Sequence, residues 1–189
     1  MKRSEYIESY LTETSQIAAS IDRQALSAAI TELKDLKARA GRLFILGVGG
    51  SAGNASHSVN DFRKIGRIEA YAPTDNVSEL TAWVNDASWE VSFLEWLKES
   101  RLQEGDAVLV YSVGGGSPTV SRNLVLAMDY AKQQGARILS VVSRDGGHAK
   151  RVSDVCILVP IVHPDRITPH AEGWQAIVWH LLVNGLDSQ

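Results

Sequence analysis

A three-layer α/β/α domain with a mainly parallel central sheet and N-terminal helices is the fold class this 189-residue chain predicts. Short apolar runs alternate with helical stretches, an alternation that needs crossover connections and therefore parallel strands covered on both faces. Two of those runs end in glycine-serine turns that lead toward helices. The length suits one hydrophobic core and is too short for two ordinary ones, so residues 1–189 are expected to form a single domain, with helices over 1–41 and the sheet, its covering helices and a C-terminal helix over 42–189.

The elements follow in order. Residues 4–39 place Leu11, Ile17, Ile21, Leu26, Ile30, Leu33 and Leu36 at helical spacing, which predicts two helices broken near residues 20–22, with Gly41 as the terminating cap. The period then changes. Apolar runs at 42–48, 107–111, 137–142 and 155–159, with a shorter one at 68–71, read as buried strands. No repeat, low-complexity stretch or linker interrupts them. Apolar residues make up 44% of the chain and charged residues 22%, with a formal net charge of −3. That balance argues against a nucleic-acid or membrane-surface role, either of which favours a basic excess. No run approaches bilayer-spanning length and the N-terminus lacks a signal-peptide core, so a cytoplasmic protein is expected. The single cysteine, Cys156, lies in the last apolar run and reads as a small core hydrophobe.

The turns carry the functional signal. Residues 46–54, Leu-Gly-Val-Gly-Gly-Ser-Ala-Gly-Asn, join the first strand to a helix. Gly49, Gly50 and Ser51 there bring backbone N–H groups, a hydroxyl and a helix N-terminus together, an arrangement suited to an anion. Neither a P-loop nor a dinucleotide fingerprint is present. Residues 110–118, Val-Tyr-Ser-Val-Gly-Gly-Gly-Ser-Pro, repeat the design, and Pro118 suits a first helical turn. Three consecutive glycines are costly in backbone entropy, so close approach to a ligand is one explanation for them. Both turns would lie at the carboxyl ends of parallel strands, where open α/β sheets bind ligands.

The pairing of Gly-x-Gly-Gly-Ser after the first strand with Ser-x-x-Gly-x-Ser after a later one resembles the sugar isomerase (SIS) domain family, and among its members the phosphoheptose isomerases. The resemblance implies that both loops wrap the phosphate of a sugar phosphate, with Gly49, Gly50, Ser51, Ser112, Val113, Gly114 and Ser117 as phosphate-binding positions. Val113 and Gly114 stand where the isomerases usually carry Thr and Ser, and Val48 where they usually carry Asn. The pair Asn85–Asp86, an ordinary turn when read alone, corresponds to an Asn-Asp that touches the sugar.

A second constellation lies on two helices. His57 and Asp61 are an i, i+4 pair, and Glu172 and His180 are eight residues apart on the last helix. Two histidines and two carboxylates suit Zn²⁺ or another divalent ion. By spacing alone the first pair more often reads as a surface ion pair, and His180 as a core histidine. The resemblance assigns His57, Asp61, Glu172 and His180 to one metal per active site, with Asp for the usual Glu and Glu for the usual Gln. It also gives Glu172 a substrate contact and implies isomerisation of D-sedoheptulose 7-phosphate to D-glycero-D-manno-heptose 7-phosphate through an enediol. Asp61 would take the carbon-bound proton and His180 would act as the second acid–base group. A homotetramer with sites shared between subunits is implied too, and five tryptophans, Trp83, Trp89, Trp96, Trp174 and Trp179, are either its anchors or ordinary core. The alternatives are a non-catalytic sugar-phosphate sensor, or an interaction protein resembling the DnaA-binding factor of bacterial replication. His170 reads as a loop histidine, because residues 168–171 lengthen the approach to the last helix; His148 and His163 read as solvent-facing.

Overall fold

In the computed structural model, which describes residues 1–188, β1 (Leu43–Gly47), β2 (Ala70–Tyr71), β3 (Ala107–Tyr111), β4 (Arg137–Val142) and β5 (Val155–Leu158) form one sheet. Its order is β2-β1-β3-β4-β5 and every pairing is parallel. α1 (Arg3–Ser20) and α2 (Arg23–Ala38) precede β1, α3 (Gly50–Lys64), α4 (Val77–Asp86), α5 (Ser92–Glu99), α6 (Arg122–Gln133) and α7 (Gly147–Val152) run between the strands, and α8 (Ile167–Gly185) follows β5. Odd-numbered residues of β1 and β3 (Leu43, Ile45, Ala107, Leu109, Tyr111) pack against α1, α2, α3 and α8. Their neighbours Phe44, Leu46, Val108 and Val110 pack against α5, α6 and α7. Both sheet faces are therefore dry, which is why the strands read as continuous apolar runs. Among the described residues no helix is long and apolar enough to cross a membrane.

Strand order places the site. The chain leaves β1 toward β2 on one side and returns to β3 on the other, so the β1 and β3 carboxyl ends are neighbours, with Gly47 registered on Tyr111. A crevice at such a reversal is where doubly wound sheets bind ligands.

Several local expectations need correcting. The α2 end is closed by Ala40, left-handed at φ 54°, with Gly41 N–H reaching Leu36 O at 3.0 Å. Gly41 is glycine for another reason: a Cβ there would collide with the Gly105 carbonyl. β2 is only two residues long because Arg67 is left-handed and Ile68 N–H is spent on Phe62 O at the end of α3. Pro118 is not in a first helical turn: α6 begins at Arg122, and Pro118 sits in a bend whose Thr119 and Val120 N–H groups donate to Ser117 Oγ. Cys156 is half-buried rather than fully buried, since β5 is an edge strand. Trp96, Trp174 and Trp179 are core residues, whereas Trp89 is 43% exposed in the turn before α5.

His170 is not in a loop. α8 begins at Ile167, so residues 168–171 form its first turn, and His170 is buried with Nε2 2.8 Å from Glu13 Oε2. Arg166 also binds Glu13, through Nε at 2.8 Å and through a second guanidinium nitrogen, and this pins α1 to the start of α8. His148 and His163 are half-buried, the first against Asp129 at 2.6 Å, the second taking Asp165 N–H on Nδ1.

The Arg166 hydrogen bonds, aided by those from His170 and Ser9, hold the Glu13 carboxyl well below the usual carboxylate range. A carboxyl depressed on folding stabilises fully above its unfolded pKa of about 4.3 and loses that contribution as pH falls toward the folded value. Glu13→Gln is thus expected to lower Tm at pH 7 and to flatten the fall of Tm below pH ~4, where the unfolded carboxyl protonates. Parallel Tm–pH curves for the two proteins would contradict this.

Candidate active site

The β1–α3 turn is built by glycine. A Cβ on Gly47 would strike the Ser51 carbonyl, and Gly49 adopts φ 65°, ψ −129°, a region closed to other residues. α3 therefore starts directly on the strand end, with Ser51 buried in its first turn. The β3 turn lies beside it. Ser112 Oγ accepts Gly115 N–H at 3.1 Å, and Ser117 Oγ accepts Val120 N–H at 3.0 Å. Each hydroxyl keeps its own hydrogen free to donate to an anion.

These serines open on a cleft of about 510 Å³, lined also by Val48, Val113, Gly114, Arg144 and Glu172. Arg144 and Thr168 belong to it although the sequence reading passed them over. Gly114 and Gly116 line the cleft, and the run of glycines has a packing cause as well. A Cβ on Gly115 would strike the Gly146 carbonyl, and one on Gly147 would strike Gly114 O and Gly116 O. His148 and Ala149 N–H groups donate to Gly116 O and Gly115 O at 2.9 Å each. The triplet thus packs backbone on backbone against the start of α7. Asn85 and Asp86 line neither this cleft nor the histidine cluster; they are exposed at the end of α4 and bond each other at 2.7 Å.

Two parallel helices carry the second constellation. Glu172 lies beside Gly50, where a Cβ would come within 2.6 Å of its carboxylate, and Asn54 reaches Gln175 at 2.8 Å. Further along, α3 and α8 bring His57, Asp61 and His180 into one group with ligand atoms within 4.8 Å of one another. His180 Nε2 is 3.4 Å and His57 Nε2 3.8 Å from Asp61 Oδ2. Ligands on a tetrahedral zinc stand about 3.3 Å apart, from bond lengths of about 2.0–2.1 Å, so this group could hold a divalent ion. Glu172 stands apart from it: eight helical residues rise about 12 Å, so sharing a helix face with His180 does not bring the two together.

Asp61 is buried and fixed. Its Oδ2 accepts Trp179 Nε1–H at 3.1 Å and its Oδ1 accepts Asn60 Nδ2–H at 3.0 Å. His180 is not a core histidine; its side chain is half exposed and stacks on Trp179. Its Nδ1 lies 2.8 Å from Ala176 O. A carbonyl only accepts, so Nδ1 carries a proton, and Nε2 is the nitrogen turned to Asp61 and His57. Tyr111, beside Trp179, is no rival acid–base group, because burial pushes its phenol well above the ordinary value.

Comparison with known proteins sets this geometry in a family. No family model matches the chain. The phosphoheptose isomerase of Trichlorobacter lovleyi is 33% identical over 146 residues, 75% of this chain and 70% of that protein. The chain belongs to the phosphoheptose isomerase family. Lincomycin biosynthesis protein LmbN of Streptomyces lincolnensis is 30% identical over 184 residues, 93% of this chain but 66% of LmbN, so the chain spans just under two thirds of that relative. The phosphoheptose isomerase GmhA of Neisseria gonorrhoeae shares the fold over the full length of both chains, with TM-score 0.84 at 23% identity. The SIS fold expected from the paired glycine-serine turns is therefore the fold of this phosphoheptose isomerase family member.

Proposed function

We propose that the chain is an aldose–ketose isomerase that interconverts D-sedoheptulose 7-phosphate and D-glycero-D-manno-heptose 7-phosphate. One observation carries the reading: α3 and α8 run side by side with the serine loops at one end and His57, Asp61 and His180 further along. Along α3, Ser51 precedes His57 by about 9 Å and Asp61 by about 15 Å at helical rise. An open-chain seven-carbon sugar phosphate is of comparable length. Ser51, Ser112 and Ser117 hold the phosphoryl group, and that remote binding positions the reacting end.

At that end the reaction takes a proton from C1 of the ketose and returns one to C2, while a proton leaves the C1 oxygen and one arrives on the C2 oxygen. Asp61 is the carbon base, held in line by Trp179 and Asn60; His180 Nε2 exchanges the oxygen-bound proton. His57, Asp61 and His180 would hold the metal, which when bound would supply Lewis-acid polarisation of the carbonyl; His180 Nε2 has a single lone pair, so it serves the metal and the proton in turn and not together. Zinc suits two imidazoles and a carboxylate with a position left open. Glu172, at the cleft beside Gly50, supplies a substrate contact at the serine end of the site. Residues 1–189 act as one domain.

The family likeness carries a cytoplasmic homotetramer within the same reading, supported by apolar side chains exposed along α1 and α8, Ile7, Leu11, Ile177 and Leu181. Purified protein supplied with Zn²⁺ is expected to convert sedoheptulose 7-phosphate, and not free sedoheptulose, to the aldose, followed by NMR, and to sediment at four chain masses. No turnover in the metal-supplied protein would discard the assignment, and a monomer mass would discard the assembly.

A further inference from the structure

A third strand end reaches the same cleft. After β4, Ser143 N–H donates to Val113 O at 3.0 Å and Gly146 N–H to Ser143 O at 3.0 Å, and Ser143 Oγ donates to Val159 O at 2.9 Å. This pinned turn forces Arg144 into the left-handed region at φ 55°, a conformation a non-glycine residue keeps only where its surroundings impose it. The side chain is thereby laid along the β3 loop: a Cβ on Gly114 would sit 3.7 Å from Arg144 Cδ.

Of the residues lining the cleft only Arg144 and Glu172 are charged. The adjacent carboxylate of Asp145 is engaged in its own turn, accepting Gly147 N–H at 3.1 Å. The ion-paired arginines among the described residues are Arg42, Arg122, Arg137 and Arg166; Arg144 is not one of them. Facing it, positions 113 and 114 offer no side-chain donor, being Val and Gly. The cleft therefore combines hydroxyl donors at Ser51, Ser112 and Ser117 with one unneutralised guanidinium.

We propose that Arg144 is a substrate-binding residue that supplies the positive charge for the phosphoryl group, compensating for the donors missing at Val113 and Gly114. The proposal rests on the reading of this cleft as the phosphate end of the site. A planar guanidinium grips two phosphate oxygens at once and prefers the dianion, so the loop recognises charge as well as shape.

Calorimetric titration with inorganic phosphate tests it on the wild type, Arg144→Asn, Arg144→Lys and Ser51→Ala. Asparagine tolerates left-handed backbone, which keeps the turn intact. Arg144→Asn is expected to weaken phosphate binding about tenfold or more and to reduce its salt dependence. Arg144→Lys, which keeps the charge but loses the fork, should fall between that variant and the wild type, and gives the test if the asparagine variant does not fold. Undiminished phosphate affinity in Arg144→Asn, with Ser51→Ala weakened, overturns the role of Arg144 and leaves the phosphate cleft standing. A wild type that takes up no phosphate at millimolar concentration overturns both.

Discussion

Asp61→Asn and His180→Ala are each expected to lower kcat/KM for sedoheptulose 7-phosphate by about 10³-fold, within the range of general acid–base groups. The Asp61 change is close to isosteric, so its effect separates chemistry from folding. An amide cannot accept the C1 proton, and it places an NH₂ where a carboxylate now receives Trp179 Nε1–H and Asn60 Nδ2–H. Asn60 is exposed and can turn its amide to present oxygen instead, so the fold should survive with only a modest loss of stability. His180→Ala removes a ring that holds Ala176 O through Nδ1 and stacks on Trp179. Because the two side chains act on one proton circuit, the double variant should be little slower than the worse single variant. Circular dichroism showing native structure, with full activity in either single variant, would remove the assignment of both residues.

How much of this was legible in the chain differs from element to element. β3 and β4 stand where the uninterrupted apolar runs predict them, since both faces of those strands are dry. The β1–α3 anion turn was equally readable, because strand, glycines, serine and helix are contiguous. Contacts between distant segments were not. The triple glycine reads as room for a ligand, and nothing local shows that Gly146 and Gly147, some thirty positions on, also pack on it. Glu13 pairs with Arg166 and His170, 153 and 157 residues away, and nothing local marks it. Glu172 and His180 share a helix stripe, but a stripe gives an angle and not the rise that separates them. Arg144 was within reach: the rule that drew attention to the ends of the first and third strands applies also to the fourth, where an arginine precedes Asp-Gly-Gly.

The backbone packing of the β3 loop leads to the largest expected loss of stability. Gly115 lies at φ 71°, a conformation that costs an alanine about 1–2 kcal/mol. The added Cβ would also strike the Gly146 carbonyl, which belongs to backbone and cannot rotate away as a side chain would. Relief would require the α7 turn to move, breaking the bonds from His148 N–H to Gly116 O and from Ala149 N–H to Gly115 O. Gly115→Ala is therefore expected to destabilise by about 3 kcal/mol or more, in the range of severe backbone lesions, and to abolish phosphate binding even where the protein remains folded. Gly173→Ala is the matching control. Gly173 is exposed inside α8, with open space around it and no positive φ, so alanine there should stabilise by about 0.5–1 kcal/mol. Urea denaturation of the two variants separates the cases: equal midpoints would mean that the glycine triplet and the α7 turn do not bear on each other, and the account of the loop as a backbone joint would fail.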